Sequence, residues 1–229
     1  MATAVEHIVW DWNGTLFADG PALIDSTIDA FRALGLPPIT RTDYQAKHRQ
    51  PISAFYDALL GRTLTAAEQA ALDRQFQRAY LSRRDAIALN PEAERTMRQW
   101  LARRRSQSLL SMYPHDRLLP LVEHFGIDRY FTAVDGLRDT ETRNKAPHLR
   151  RHLARLDADP ARVLLVGDSV DDAIAARECG VACVLYHAGD DALHTMDHFT
   201  PLGVPVVGSL AEAVSAAVDG ERWVGVAAE

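Results

Sequence analysis

The sequence predicts an α/β protein, a Rossmann-like, doubly wound parallel sheet that carries an inserted all-helical segment. Beyond residue 90, short apolar runs typical of strands alternate with amphipathic helical patterns, the order of a parallel sheet with helices on both faces. Between the first apolar run, residues 8–10, and this alternation, only helical patterns occur. We therefore expect a core formed by residues 1–17 and 90–229, and a helical cap formed by residues 18–89.

The cap is predicted to contain four helices. The first can end at Gly35, because glycine readily adopts the left-handed conformation that follows a helix. The fourth begins with Thr65 followed three residues later by Glu68, the spacing of a capping box. The four patterns span residues 21–34, 42–48, 51–60 and 65–87.

The core alternates between the two element types after Asn90 and Pro91, which interrupt the helical pattern. Helices are predicted over residues 92–104, 116–125, 146–156, 171–178 and 210–218, and strands over 108–112, 130–134, 163–166, 181–185 and 204–207. Ligands of open parallel sheets bind at the carboxyl ends of the strands. A helical insert that leaves the chain there would lie over the ligand and exclude water.

Composition excludes several classes of protein. The 229 residues are 47% hydrophobic, enough for a sizeable core, and the net charge of -6 disfavours a nucleic-acid partner. The two cysteines, Cys179 and Cys183, are too few for a disulfide framework or a zinc site and are expected to be small apolar side chains. No signal peptide and no membrane-length apolar run are visible, so we expect a cytoplasmic protein without a membrane partner. The oligomeric state is not indicated.

Four polar signals follow apolar strands and can meet in one crevice: Asp11, Ser111, Lys145 and Asp168. A carboxylate can attack phosphorus, and two carboxylates from different strands can hold Mg²⁺. A lysine ammonium and a serine hydroxyl can stabilise phosphate oxygens. Because phosphoryl transfer depends mainly on positioning and on charge stabilisation, the sequence predicts a magnesium-dependent phosphoryl-transfer enzyme with Asp11 as the nucleophile.

The chain resembles the haloacid dehalogenase superfamily in the order of these residues. It is most similar to the phosphoglycolate-phosphatase-like branch, whose members carry a helical cap. The family's first motif is Asp-x-Asp-Gly-Thr-Leu/Val, and residues 11–16 read Asp-Trp-Asn-Gly-Thr-Leu. Ser111 and Lys145 match the second and third motifs, and residues 167–172 match Gly-Asp-Ser-x-x-Asp in full. The resemblance covers nearly the whole chain.

The resemblance implies a phosphatase that acts on a small phosphorylated metabolite, a phosphomonoester, through an aspartyl phosphate at Asp11. It implies Mg²⁺ held by Asp11, by the backbone carbonyl of Asn13 and by Asp168, with Asp172 at or beside the metal. The catalytic residues are then Asp11, Asn13 and Lys145. The expected substrate-binding residues are Gly14, Thr15, Ser111, Met112, Lys145, His48 and Arg49.

Asn13 departs from the family pattern, since phosphatases of the family carry there the aspartate that protonates the leaving oxygen. An amide cannot shuttle that proton, a function typically worth ~10² to 10⁴ in rate. Three interpretations stay open at this point. The chain is a natural enzyme, either for good leaving groups or with a substitute acid such as His48; or it is a weak or regulatory phosphate binder; or its natural aspartate was replaced. A dehalogenase is disfavoured by the Gly14-Thr15 pair and the complete fourth motif.

Several residues also have a simpler interpretation. His48 and Arg49 could belong to a solvated turn rather than to an anion-binding loop. Asp171 is expected to be a carboxylate that only favours the start of its helix. Trp10 and Trp12 are expected in the core, and most of the remaining histidines show no paired spacing from which a metal site would be predicted.

Overall fold

The computed structural model describes residues 4–138 and 144–219, in which six strands form one parallel sheet. The strands are β1 (His7–Trp10), β2 (Ser106–Pro114), β3 (Val134–Leu137), β4 (Val163–Gly167), β5 (Ala182–Tyr186) and β6 (Val206–Val207). Their order across the sheet is β3-β2-β1-β4-β5-β6. The first strand is therefore central, and the connections leave it in both directions, which creates a crevice at its carboxyl end.

Nine helices are described in these two ranges, and four of them separate β1 from the rest of the core. These four are α1 (Gly20–Ala33), α2 (Arg41–Lys47), α3 (Ile52–Leu60) and α4 (Ala66–Arg84), and we call them the four-helix segment. The other five are α5 (Ala93–Ala102), α6 (His115–His124), α7 (Lys145–Leu156), α8 (Val170–Cys179) and α9 (Leu210–Asp219).

The two faces of the sheet are covered by different helices. Ile8 and Trp10 of β1 pack with apolar residues of α5, α6 and α9 on one face. Val9 points the other way and packs with residues of α7 and α8. This alternation follows from the period of two in a strand, and it leaves β1 buried on both sides, as a central parallel strand requires.

The four-helix segment has an apolar core of its own. This core contains the buried side chains of Phe31, Tyr44, Phe55 and Leu72, together with Leu193 from the loop after β5. The predicted capping box at the start of α4 is confirmed, because the Thr65 side chain accepts from the backbone N–H of Glu68 and the Glu68 carboxylate accepts from Thr65. The boundaries at residues 17, 18, 89 and 90 stay a prediction.

The α/β fold with a parallel sheet and flanking helices is confirmed, but the predicted strand over residues 130–134 is wrong. Asp128–Tyr130 form a 3₁₀ turn, and β3 begins only at Val134. The side-chain amide of Gln107 donates to the carbonyl of Tyr130 at 3.2 Å, which holds this carbonyl outside the ladder. Aromatic and β-branched residues at 130–132 favour a strand locally, and this tertiary contact overrides that preference.

Three smaller expectations have clear outcomes. Trp10 and Trp12 are fully buried, as predicted. Cys179 and Cys183 are free, the second buried and the first only half-buried. Across the described ranges, the helices are too short or too polar for any of them to cross a lipid bilayer.

Candidate active site

The central strands deliver two carboxylates to the same edge of the sheet. Asp11 follows β1 directly, and its backbone N–H donates to the carbonyl of Val166 in β4 at 2.8 Å. Asp168 likewise follows β4 directly. Between them lies Gly14, whose φ of +72° is left-handed. A Cβ on Gly14 would lie 2.0 Å from an Oδ atom of Asp168, so no other residue allows the loop and this carboxylate to approach so closely.

Lys145 is the buried cation of the site. It is the first residue of α7, with only 2% of its surface exposed. Its Nζ donates to Oδ1 of Asp11 and to Oδ1 of Asp172. A buried ammonium between two carboxylates is satisfied by charge and by hydrogen bonds together, which is the condition under which such groups are tolerated in a protein interior.

Asp172 has two roles, and its neighbour Asp171 links two helices. Oδ2 of Asp172 accepts from the backbone N–H of Ser169 at 3.1 Å and from its hydroxyl at 2.6 Å, which completes a capping box at the start of α8. Its other oxygen contacts Lys145. Asp171 lies in the first turn of α8, as expected, and its carboxylate also accepts from the backbone N–H of Lys145 at 3.2 Å, which links α7 to α8.

Burial and the close approach of several charges shift the pKa values of Asp11, Asp168 and Lys145. Burial is the largest influence on Asp11 and raises its pKa to about 7, although the Lys145 ammonium opposes the shift. Burial, followed by the charges of Asp11 and Asp172, raises the pKa of Asp168 well above its usual range. Burial disfavours charge on Lys145, but the carboxylates of Asp11 and Asp172 outweigh it and raise its pKa. One further cation at the carboxylates would relieve the remaining repulsion.

The donor set fits a hard divalent cation. Asp11, Asp168 and Asp172 each offer a carboxylate oxygen, and these oxygens all lie within 4.8 Å of one another. Oxygen donors from carboxylates are the protein ligands that Mg²⁺ takes, with waters and substrate phosphate completing its shell. The chemistry of the residues present is therefore compatible with magnesium.

A cavity of about 1070 Å³ lies between this edge of the sheet and the four-helix segment. It brings together most of the residues that the sequence places at the site. Those that line it are Asp11, Asn13, His48, Arg49, Ser111, Met112, Lys145 and Asp168. The hydroxyl oxygen of Ser111 accepts from the backbone N–H of Tyr113 at 3.0 Å, which leaves its own O–H free to donate into the cavity.

Two of the expected substrate-binding residues are not brought to the cavity. Thr15 is fully buried, and its Oγ1 contacts no hydrogen-bond partner among the described residues. The backbone N–H of Gly14 is shared between the carbonyl of Phe17 at 3.0 Å and Oδ1 of Asp19 at 2.9 Å, so it is not available to a phosphate. The tight turn uses the backbone N–H of Gly14 within the loop, and it buries the side chain of Thr15 away from the cavity.

Asp19 and Tyr80 are residues that the sequence interpretation missed. The Asp19 carboxylate accepts from the side-chain amide of Asn13 at 2.6 Å and from the Tyr80 hydroxyl at 2.8 Å. Tyr80 lies in α4, so this contact joins the four-helix segment to the loop after β1. Asp19 could have been suspected from its place directly before α1, a position that often holds a capping carboxylate.

His48 belongs to a chain of three histidines that spans the two parts of the fold. Its ring stacks on that of Tyr44, with the ring centroids 5.0 Å apart. Its Nδ1 shares a hydrogen bond with Nε2 of His194 at 3.2 Å. Nδ1 of His194 in turn lies 2.9 Å from Nδ1 of His198. Burial, then the two neighbouring imidazoles, lowers the pKa of His48 well below 6.5, so this ring is neutral at neutral pH and is poorly suited to donate a proton. Only the spacing of four residues between His194 and His198 hinted at the chain.

The histidine chain predicts a loss of stability in mild acid. Burial, followed by His198, lowers the pKa of His194 from 6.5 to about 4. The neutral ring is favoured in the folded state, so its contribution is complete above pH 6.5 and is lost as the pH falls toward 4. Between pH 7 and pH 5 we expect the free energy of unfolding to fall by about 2 kcal/mol through this group alone.

Urea denaturation of the protein and of a His194→Gln variant at both pH values measures this loss. The variant should be less stable at pH 7 but less sensitive to pH by about the same 2 kcal/mol. Equal pH dependence of the two proteins would contradict the assignment to His194.

Residues 5–180 match the family model of haloacid dehalogenase-like hydrolases. The chain belongs to this family. It is an enzyme of the hydrolase class, and the resemblance inferred from its four motifs is confirmed.

Three relatives illustrate its place in the family. A phosphoglycolate phosphatase of Yersinia pestis is 27% identical over 192 residues, covering 79% of this chain and 80% of the relative. A haloacid dehalogenase-like hydrolase from Streptococcus pneumoniae superposes with a TM-score of 0.78 at 14% identity, over 92% and 97% of the two chains. A mutant of CbbY from Rhodobacter sphaeroides, in complex with xylulose-(1,5)bisphosphate, has a TM-score of 0.68 at 19% identity, over 93% and 99%. The two structural likenesses show the fold.

Proposed function

We propose that the protein is a magnesium-dependent phosphatase that hydrolyses a small phosphomonoester through an aspartyl phosphate on Asp11. The observation that supports this best is the grouping of Asp11, Asp168 and Asp172 around the buried ammonium of Lys145, at the end of a cavity. Curated relatives that are phosphoglycolate phosphatases support the same class of reaction.

The reaction would proceed in two displacements. A carboxylate oxygen of Asp11 forms a bond to phosphorus while the bond from phosphorus to the leaving oxygen breaks, and the released alkoxide takes a proton from the solvent. A water molecule then attacks phosphorus, the bond to Asp11 breaks, and inorganic phosphate leaves. The carboxylate of Asp11 is regenerated, and the water proton passes to solvent.

The neighbouring residues would hold and neutralise the reacting group. Lys145 offsets the charge of Asp11 as the anionic phosphate approaches, and the hydroxyl of Ser111 donates to a phosphate oxygen. Asp11, Asp168, Asp172 and the backbone carbonyl of Asn13 would hold Mg²⁺, which when bound neutralises charge on the transferring phosphoryl group. His48 and Arg49 lie on the cavity wall opposite and would contact the rest of the substrate.

Asn13 restricts the leaving groups that this site can release quickly. Without a carboxylic acid at residue 13, we expect p-nitrophenyl phosphate to be hydrolysed at least ~10²-fold faster than glycerol phosphate, because p-nitrophenolate leaves without a proton. The assay compares both substrates at pH 7 with Mg²⁺ and with EDTA. Asp168→Asn should abolish the response to Mg²⁺, while Asp116→Asn, on the exposed start of α6, should keep it.

The second candidate function is that of a phosphate-binding protein with little turnover, and Asn13 favours it because its amide cannot supply a proton to the leaving oxygen. Release of one p-nitrophenolate per protein, followed by no further hydrolysis, would support it. Absence of Mg²⁺-dependent release from both substrates, together with absence of phosphorylated Asp11 in mass spectra, would rule out the phosphatase.

A further inference from the structure

Asp19 is a buried carboxylate that lies outside the motifs of the active site. It precedes α1 and is completely inaccessible to solvent, so it cannot touch a substrate in the cavity. Three neutral donors surround it, two from the loop after β1 and one from α4. A buried carboxylate needs hydrogen-bond donors such as these, and the carboxylate in turn constrains the orientation of the residues that donate to it.

The two oxygens of Asp19 have different partners. Oδ1 accepts from the backbone N–H of Gly14 at 2.9 Å. Oδ2 accepts from the Asn13 amide at 2.6 Å and from the Tyr80 hydroxyl at 2.8 Å. Burial raises the pKa of Asp19, while its hydrogen bonds from Asn13, Tyr80 and Gly14 oppose that rise by favouring the ionised form. An ionised carboxylate can only accept hydrogen bonds, so it fixes which end of the Asn13 amide turns toward it. The amide oxygen of Asn13 is thereby directed away from Asp19.

This contact gives a reason for the amide at residue 13. An aspartate there would place two carboxylate oxygens against each other at the distance of a hydrogen bond, in a buried place. Asp19 would keep the donors of Gly14 and Tyr80 but lose that of residue 13, and the two carboxylates would repel each other unless they shared a proton. Asn13 therefore supplies the donor that Asp19 accepts, so a change at either residue alters the hydrogen bonding of the other.

We propose that Asp19 is a positioning residue for the phosphatase reaction, because its carboxylate sets the orientation in which Asn13 meets the reacting phosphate. This inference rests on the proposed function. It predicts that an aspartate at residue 13 supports hydrolysis only when residue 19 carries an amide. The aspartate that is usual in the family should therefore lower the rate in this chain when it is introduced alone.

The exchanged pair fits the same contacts. An asparagine at residue 19 keeps its Oδ1 for the N–H of Gly14 and places its Nδ2 where Oδ2 was. That amide can donate one hydrogen to an aspartate at residue 13 and the other to the oxygen of the Tyr80 hydroxyl, which is both donor and acceptor. Asp19→Asn alone instead turns two amide donors toward each other, and Asn13 has to rotate its amide to recover the bond.

The test is a cycle of four proteins: the natural chain, Asn13→Asp, Asp19→Asn and the double variant. We expect each single change to lower kcat for p-nitrophenyl phosphate by ~10-fold with little change in KM, and the double variant to return to within ~3-fold of the natural chain. On glycerol phosphate the double variant should exceed the natural chain by ~10-fold or more, because the carboxylic acid introduced at residue 13 can then protonate the leaving oxygen.

Asp29→Asn is the matched control. Asp29 lies in α1, the helix that Asp19 precedes, and like Asp19 it contacts α4, in this case through Arg83. It does not contact the loop after β1 through any of these bonds, so the kcat of Asp29→Asn should equal that of the natural chain. Melting temperatures of all variants show whether a change in kcat merely follows a loss of folded protein.

The outcomes separate this inference from the proposed function. An active natural chain in which Asn13→Asp alone raises hydrolysis of glycerol phosphate, or in which the two changes act additively, overturns the role of Asp19 and leaves the phosphatase standing. A natural chain without Mg²⁺-dependent hydrolysis of either substrate overturns both.

Discussion

Replacing Asp11 by asparagine is expected to reduce hydrolysis of p-nitrophenyl phosphate by at least ~10⁴-fold, since the amide cannot form the covalent intermediate. The same change should not unfold the protein. Asp11 is one of three carboxylates whose oxygens lie within 4.8 Å of one another, and Lys145 keeps its second partner, Asp172. Removing one buried negative charge relieves repulsion, so we expect a melting temperature equal to or above that of the natural chain.

Steady-state rates and thermal denaturation of Asp11→Asn check both halves of this prediction. Asp116→Asn serves as the matched control, since that aspartate is exposed on α6 and does not line the cavity. After an acid quench, the natural chain should carry phosphate on the peptide that contains Asp11, and the variant should not. Retention of more than about 1% of the natural rate would contradict a nucleophilic role.

Replacing Lys145 by methionine is expected to affect stability as well as catalysis. The change removes the ammonium that contacts Asp11 and Asp172 and leaves their charges buried together. Breaking a buried ion pair from one side typically costs ~3 to 5 kcal/mol. For a chain of this length the melting temperature should fall by roughly 10 °C in EDTA. Activity should fall by at least ~10³-fold, because a charged group that stabilises the transition state is lost.

Magnesium gives this prediction a second readout. A cation that binds the carboxylates only in the folded state adds about 2.7 kcal/mol at one hundred times its Kd, so Mg²⁺ should restore a large part of the lost melting temperature. Lys47→Met is the matched control, because Lys47 and Lys145 are the only lysines in the sequence and Lys47 lies on α2, outside the carboxylate group. Equal melting temperatures of Lys145→Met and the natural chain in EDTA would contradict the proposed charge balance.

Much of the fold could be predicted because its signals are local. The buried strand before Asp11, the capping box at Thr65 and the alternation after residue 90 each depend on neighbouring residues, and the sheet and helices confirm them. The strand expected over residues 130–134 failed because its conformation depends on Gln107, a residue more than twenty positions away. No local pattern records such a contact.

The same distinction applies to the site. Asp11, Lys145 and Asp168 could be placed together because strand ends of a parallel sheet converge, whatever the details of packing. Asp19 and the chain of His194 and His198 could not, since their roles arise from contacts between the loop after β1, the four-helix segment and the loop after β5. Thr15 was misplaced for a related reason. Its motif position suggests a ligand contact, whereas the tight turn buries its side chain.

The double role of Asp172 has a consequence for how the enzyme fails on heating. One oxygen of this carboxylate holds the first turn of α8 through Ser169, and the other holds Lys145. If that turn frays, the ammonium loses a partner in the same event, and the charges around Asp11 rearrange while the rest of the sheet is still intact. Local opening of a helix terminus requires less free energy than global unfolding. Inactivation should therefore begin below the melting temperature, with hydrogen exchange at the amide of Asp172 as its earliest sign.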